Sequence, residues 1–508
     1  MPENIRALIV ILILGSVILF YFRSIAVKHG FANDHRAFSS LWYTITIASG
    51  ITGDFWAFLL LVTVFFSVSP ALKQNSKVIS TYILLALIVP PVAIKIPGVM
   101  GINHFGYMSW YRYLILILLV PYFFKTIQKP DFKWFNHYPD KYVVLFCTVV
   151  LVLEAIRTPS PTDMVRISMF RILDFIVPYY SISRGLKSTQ DIRKVLFFFC
   201  VIMCIASLVA MFEATRSWHL YTSISESLEH TIKTVTDYKY RAGFLRAGTL
   251  YGPIPSGGLL AVGFLIFYFF FPKERSFKIL SLFMLMGIGI LATLSRGPWV
   301  AFIIALCLFV ILQKKVMKLI VGVLFLTPLV LVSPIGDDFL ALLPGVGTDK
   351  EGTIHYRQDL LETSIGVIEE NPLFGSRHFM DNPKMQHLIQ GEGIIDIVNT
   401  YLQIALWYGL IALASFIALL IFPALKLYSL SRMKNRTILE RDLCHLFIAM
   451  IMVMVVTIAT VSSLGAGGAL AFVTWTLVAM SSAYIRILTT QNKQKDKVIV
   501  QSNEPKLK

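Results

Sequence analysis

The chain has 508 residues, 56% of them hydrophobic and only 15% charged, with a mean hydropathy of +0.70. A soluble globule carries about 25% charged residues, so that class is excluded and a polytopic membrane protein is indicated. The 46 Lys+Arg against 29 Asp+Glu do not point to nucleic acid, because the excess sits in alternate loops, as the positive-inside bias requires.

A span needs about 20 largely apolar residues, and some fourteen segments qualify in whole or in part: 7–22, 53–69, 78–94, 111–124, 142–156, 169–183, 195–214, 254–271, 279–294, 297–312, 319–335, 401–424, 443–463 and 468–485. The expected fold is all-α, with about 12–14 transmembrane helices and one long extracytoplasmic loop. Residues 1–335 would hold the N-terminal transmembrane helices, 336–400 the loop, 401–485 the C-terminal transmembrane helices, and 486–508 a cytoplasmic tail. The first apolar run ends Ile18-Leu19-Phe20-Tyr21-Phe22, bulky aromatics that make a poor cleavage site and a good interfacial anchor, so a retained span is expected. Short basic loops at Lys314-Lys315-Val316-Met317-Lys318 and 432–441 mark the inside. An even span count then puts both termini inside and loop 336–400 outside. That loop is acidic, with eleven Asp+Glu against four Lys+Arg.

Cys147, Cys200, Cys204, Cys307 and Cys444 all fall in apolar runs without metal-ligand spacing, and read as small buried hydrophobes. His355, His378 and His387 share the loop without regular spacing and read as surface residues. Three clusters on the outer side carry more. Arg241 and Arg246 precede the span beginning near Ile254; guanidinium binds phosphate oxygens in bidentate fashion, although arginines at a span mouth also serve as interfacial anchors. Thr293-Leu294-Ser295-Arg296-Gly297-Pro298-Trp299 forms a tight turn in which Gly297, Pro298 and Trp299 have structural uses and Arg296 is left to bind an anion. Within the loop, apolar Leu361, Ile365 and Ile368 alternate with acids, predicting an amphipathic helix that begins near Tyr356 and Arg357 and stops at Asn371-Pro372.

Arg357-x-x-x-Leu361, then Asn371-Pro372-Leu373-Phe374-Gly375, then Asn399-Thr400-Tyr401-Leu402-Gln403 running to Gly409 resembles the O-antigen ligase and polymerase family of bacterial membrane glycosyltransferases. Ser295-Arg296-Gly297 and the Arg241 to Pro253 stretch match its upstream pattern. The resemblance implies transfer of a glycan from an undecaprenyl-pyrophosphate carrier to an acceptor sugar hydroxyl, outside the bacterial cytoplasmic membrane. Arg241, Arg246, Arg296 and Arg357, with Tyr356 and Asn399, would bind the substrate and stabilise the pyrophosphate leaving group. No metal and no cofactor is implied. The partners implied are the lipid-linked glycan, membrane lipid and a chain-length regulator.

One position departs from the pattern. Ligases of this family carry a histidine directly before the asparagine, where this chain has Val398. Valine accepts no proton, so the catalytic base would come from Asp396 or Glu392, with His387 as a further candidate. The loss favours a polymerase of repeat units over a ligase. The rival from another class is a solute transporter, which would place ionisable residues deep in the membrane along a central path.

Overall fold

The computed structural model describes residues 1–68, 75–98, 104–135, 137–228, 238–241, 243–272, 274, 276–317, 351–390, 393–462 and 468–503. The span expected at 319–335 and the proposed base Glu392 lie outside them. The chain is a helical membrane bundle: α1 Glu3–Lys28, α2 Ala32–Ile51, α3 Phe55–Val68, α4 Asn75–Leu85, α5 Trp110–Ile127, α6 Asp140–Arg157, then α7 from Pro161–Arg171 through a π turn into Val177–Gly185. It continues with α8 Thr189–Arg216, α9 Leu220–Ser227, α10 Pro253–Phe270, α11 Phe277–Ala292, α12 Arg296–Leu312, α13 Glu351–Ile368, α14 Thr400–Ser431, α15 Ile438–Ile458 and α16 Ala469–Asn503. Among the described residues, seven helices are long and apolar enough to cross a membrane: α1, α5, α8, α10, α14, α15 and the first part of α16. Three shorter apolar helices, α3, α11 and α12, pack beside them or close by. The most enclosed are α8 and the first part of α16, whose apolar stretches are almost wholly covered by other helices.

Ion pairs and hydrogen bonds at the helix ends fix the directions of α1, α2 and α8 relative to one another. At the start of α1, Asn4 donates to the Gly50 carbonyl at the end of α2 (3.0 Å), and Glu3 accepts from Trp218 Nε1 (2.9 Å) beyond the end of α8. At the far end of α1, Lys28 pairs with Glu274 (2.7 Å), between α10 and α11, while Asp34 at the start of α2 pairs with Lys194 at the start of α8. The chain therefore begins at the end of the bundle that carries the 217–252 segment and the loop before α14, and α16 runs toward the opposite end. The expectation of both termini on one side is corrected. The cause is α2, absent from the hydropathy reading because its first turns are polar (Asn33, Asp34, His35, Arg36, Ser39, Ser40), yet buried against α1 through His35, Phe38, Trp42 and Ile45.

The apolar run at 78–94 is helical only to Leu85, since Pro90 and Pro91 cannot continue a helix. It enters a two-stranded antiparallel hairpin, β1 Ala93–Pro97 with β2 His104–Ser109, that hands the chain to α5. Alpha-helical geometry is also interrupted by π turns at Ile115–Leu119 in α5 and Ile172–Ile176 in α7, which touch each other.

Candidate functional site

Three of the sequence-predicted arginines come together. A small hairpin, β3 Tyr240–Arg241 with β4 Phe244–Leu245, and the turn between α11 and α12 lie side by side, joined by Ala247 N donating to the Ala292 carbonyl (3.0 Å). Arg241 donates to the Leu294 carbonyl (2.6 Å) and Arg246 to Ser295 Oγ (3.0 Å), so both guanidinium groups are anchored on the turn that presents Arg296. The Nε of Arg246 is buried without an acceptor. Neither Arg241 nor Arg246 has a carboxylate partner among the described residues. Burial, then the charges of Arg241 and Arg296, lower the Arg246 pKa to about 10; burial and Arg296 lower that of Arg241. Three cations held together against their mutual repulsion form a ready site for a multivalent anion.

A residue that pattern reading passed over builds this arrangement. Glu213, fully buried near the end of α8, accepts from the backbone N–H groups of Leu220 (3.1 Å), Gly248 (2.9 Å) and Thr249 (2.8 Å), with His219 Nδ1 at 3.2 Å. Thr249 takes a left-handed conformation there (φ 46°), and its hydroxyl lies 2.6 Å from Ser256 Oγ in α10. Glu213 thus fixes the backbone just after Arg246. The available signal was a lone carboxylate ending an apolar helix.

The Asn371 to Gly375 motif meets Gly409 of α14 directly. Helix α14 is broken at Gly409 (φ 81°, ψ −179°), a conformation open essentially to glycine alone. Leu410 N donates to the Pro372 carbonyl and Ser376 N to the Leu406 carbonyl, both at 2.8 Å. A Cβ on Gly375 would lie 2.6 Å from the Leu406 carbonyl oxygen, and one on Gly409 2.3 Å from that of Leu373. Arg157, at the end of α6, closes the joint by donating to the carbonyls of Trp407 (2.6 Å), Phe374 (2.5 Å) and Gly375 (2.9 Å). Beneath it Tyr408 donates to Glu154 (2.5 Å), which also pairs with Arg171 (3.3 Å).

Helix α13 starts at Glu351, a turn before the predicted point, and its buried face is Leu360, Ser364 and Val367 rather than Leu361 and Ile365, both of which are exposed. The buried residues pack with Phe379, Met385, Leu388, Ile397 and Leu406 in a small core of the loop's own. Tyr356 OH donates to the Asp396 carbonyl and accepts from its N–H, both 3.1 Å, which staples α13 to the segment before α14. The Asp396 carboxyl side is exposed, Val398 packs into the small core, and Asn399 Oδ1 caps α14 by accepting from Tyr401 N (2.9 Å) and Leu402 N (3.3 Å). Arg357 is exposed on α13. His387 and Asp359 lie 3.1 Å apart on the loop surface.

The end of α15 joins the two halves. Gly297 approaches Thr460 so closely that a Cβ would meet its hydroxyl at 2.3 Å, and Thr400 Oγ1 donates to the Val461 carbonyl (2.6 Å). The turn carrying Arg296 and the cap carrying Asn399 are therefore braced on adjacent residues.

Residues 281–417 match the family model for O-antigen ligase, a stretch that runs from α11 past the break in α14 and includes Arg296, Arg357, the Asn371 to Gly375 motif, Asn399 and Gly409. No curated protein matches the chain. With that match set in a multi-pass helical bundle, residues 281–417 are similar to the O-antigen ligase domain, which supports the O-antigen ligase/polymerase family.

Proposed function

We propose that this protein is a polymerase of lipid-linked polysaccharide repeat units, transferring glycan from undecaprenyl pyrophosphate to an acceptor sugar hydroxyl at the outer face of the bacterial cytoplasmic membrane. The observation that carries this reading is the convergence of Arg241, Arg246 and Arg296 on one turn, braced on the same helix end as the segment bearing Asp396 and Asn399. In the reaction the acceptor oxygen attacks the anomeric carbon, the bond from that carbon to the pyrophosphate oxygen breaks, and the electron pair leaves with the pyrophosphate. The guanidinium cluster, joined in this reading by Arg357, stabilises the charge that grows there. Asp396 or Glu392 takes the acceptor's proton.

The distribution of cations supports the assignment of sides. Lys125, Lys129, Lys133, Arg184, Lys187, Lys314, Lys315, Arg432, Lys434 and Arg486 all lie at the end opposite the arginine cluster, or near it, and that end is the cytoplasmic one under the positive-inside bias. Within the bundle, Arg112 pairs with Asp174 (2.8 Å) and Arg171 with Glu154 (3.3 Å). Mutually neutralised pairs of this kind suit a structural role better than a transport path. Val398 in place of the ligase histidine favours polymerase over ligase.

The test supplies purified protein with lipid-linked repeat units. A ladder of longer lipid-linked chains is expected. Transfer of single units to a separate acceptor such as a lipid A core would assign a ligase instead, and binding without any product would refute both.

A further inference from the structure

At the end of the bundle opposite the arginine cluster lies a second basic site, a cavity of about 420 Å³ between the segment joining α5 to α6, the α7–α8 junction and α16. Its lining includes Lys129, Lys133, Lys187, Arg184 and Arg486, with Asp131 the one carboxylate among them. The arginines form a fixed floor. Arg184 holds the fully buried Asp140 in a two-point pair (2.5 and 3.1 Å) and stacks over Tyr180. Arg486 is anchored by donating Nε to the Ser183 carbonyl (3.2 Å) and an amine to that of Leu186. The three lysines, by contrast, are exposed and have no ion pair among the described residues. With Arg184 neutralised by Asp140, the cavity keeps an excess of positive charge over Asp131 that the protein leaves unanswered. The same segment exposes Trp134, Phe135 and Tyr138, amphipathic and aromatic side chains of the sort that settle at headgroup depth.

We propose that this cavity binds the phosphate of an anionic phospholipid headgroup from the cytoplasmic leaflet, with Lys129, Lys133 and Lys187 on the phosphate and Arg486 at the floor. Basic pockets between transmembrane helices on the cytoplasmic side select such headgroups. A lipid supplies both the charge and acyl chains that lie along the neighbouring helices, whereas a free phosphate supplies charge alone.

The test measures binding to the purified full chain in detergent, by native mass spectrometry and by thermal unfolding, with phosphatidylglycerol, phosphatidylcholine or inorganic phosphate added. Phosphatidylglycerol is expected to bind at least 10-fold more tightly than phosphatidylcholine and to raise the unfolding temperature. The Lys133→Gln/Lys187→Gln variant should lose about 10- to 30-fold of that preference. Lys314→Gln/Lys315→Gln, which removes two cations at the same end but outside the cavity, should keep it. An unchanged preference in the first variant, or an equal loss in both, would overturn the site. Protection by inorganic phosphate as strong as that by phosphatidylglycerol would overturn the lipid as its occupant.

Discussion

Gly409→Ala tests the joint between the loop motif and α14. The backbone at φ 81°, ψ −179° costs a residue with a side chain about 1–3 kcal/mol. The new methyl would also stand 2.3 Å from the Leu373 carbonyl oxygen and 2.5 Å from Phe374 N. Both neighbours are backbone, so relief requires the loop to lift. Lifting breaks the bonds from Leu410 N to Pro372 and from Ser376 N to Leu406, worth about 0.5–1.5 kcal/mol each. Those bonds are lost on opening in either protein, so the strain on the closed joint alone puts local opening about 1–3 kcal/mol closer, a rise in the opened fraction of roughly 5- to 150-fold. The assay is hydrogen exchange at the amides of Leu410 and Ser376 in detergent, with Gly287→Ala as control. Gly287 lies in α11 with nothing within 4 Å of its would-be Cβ, so alanine there should be neutral or stabilising by about 0.4–1 kcal/mol. Equal protection of Leu410 and Ser376 in the two variants would refute the joint.

Arg246→Ala should lower turnover about 10- to 100-fold, the loss of one charged contact, and Arg246→Lys should rescue poorly because the ammonium lacks the fork; normal polymer from Arg246→Ala at normal protein level would remove it from the site. Pyrophosphate at 100 times its Kd should stabilise the folded protein by about 2.7 kcal/mol, and that shift in the unfolding curve should vanish in Arg241→Gln/Arg246→Gln. Asp396→Asn should cut turnover about 100-fold or more while leaving lipid-linked substrate bound; full activity would pass the role of base to another group. In a cysteine-free background, Met380→Cys should react with an impermeant thiol reagent on intact cells and Lys434→Cys should not, and the reverse labelling would invert the assignment of sides.

Most of the bundle was legible because lipid-facing and buried helices are both apolar, and a run of apolar residues signals either. The same fact hid α2, whose burial is carried by Phe38, Trp42 and Ile45 on one face while polar residues occupy its first turns. Hydropathy averages over faces and so missed it, and one missed helix reversed the side assigned to the N-terminus. The face of α13 was misread for a related reason. Leu360–Ser364–Val367 and Leu361–Ile365–Ile368 are neighbouring stripes, and a buried serine, Ser364, made the true one look the more polar. Arg241, Arg246 and Arg296 could be chosen by their position at helix mouths, but their meeting depends on Glu213, whose partners are backbone amides and leave no mark in the sequence.

The two glycine-dependent contacts explain why the motifs are spread over so long a stretch of chain. Gly297 lets the arginine-bearing turn reach Thr460, and Gly375 with Gly409 lets the loop sit on the broken α14. The first sets backbone against the Thr460 side chain and the second sets backbone against backbone, so each fixes position to within the tolerance of van der Waals contact and leaves little room for adjustment. Arg157 adds three donated bonds to carbonyls that the break in α14 and the turn at Gly375 would otherwise leave open. A cluster of cations that repel one another cannot hold its own geometry. It needs rigid neighbours, and here these are the buried Glu213 on one side and the end of α15 on the other. On this reasoning Gly297→Ala should disturb glycan transfer more than it disturbs folding, because it displaces the turn carrying Arg296 from Thr460 while leaving the core of α12 intact.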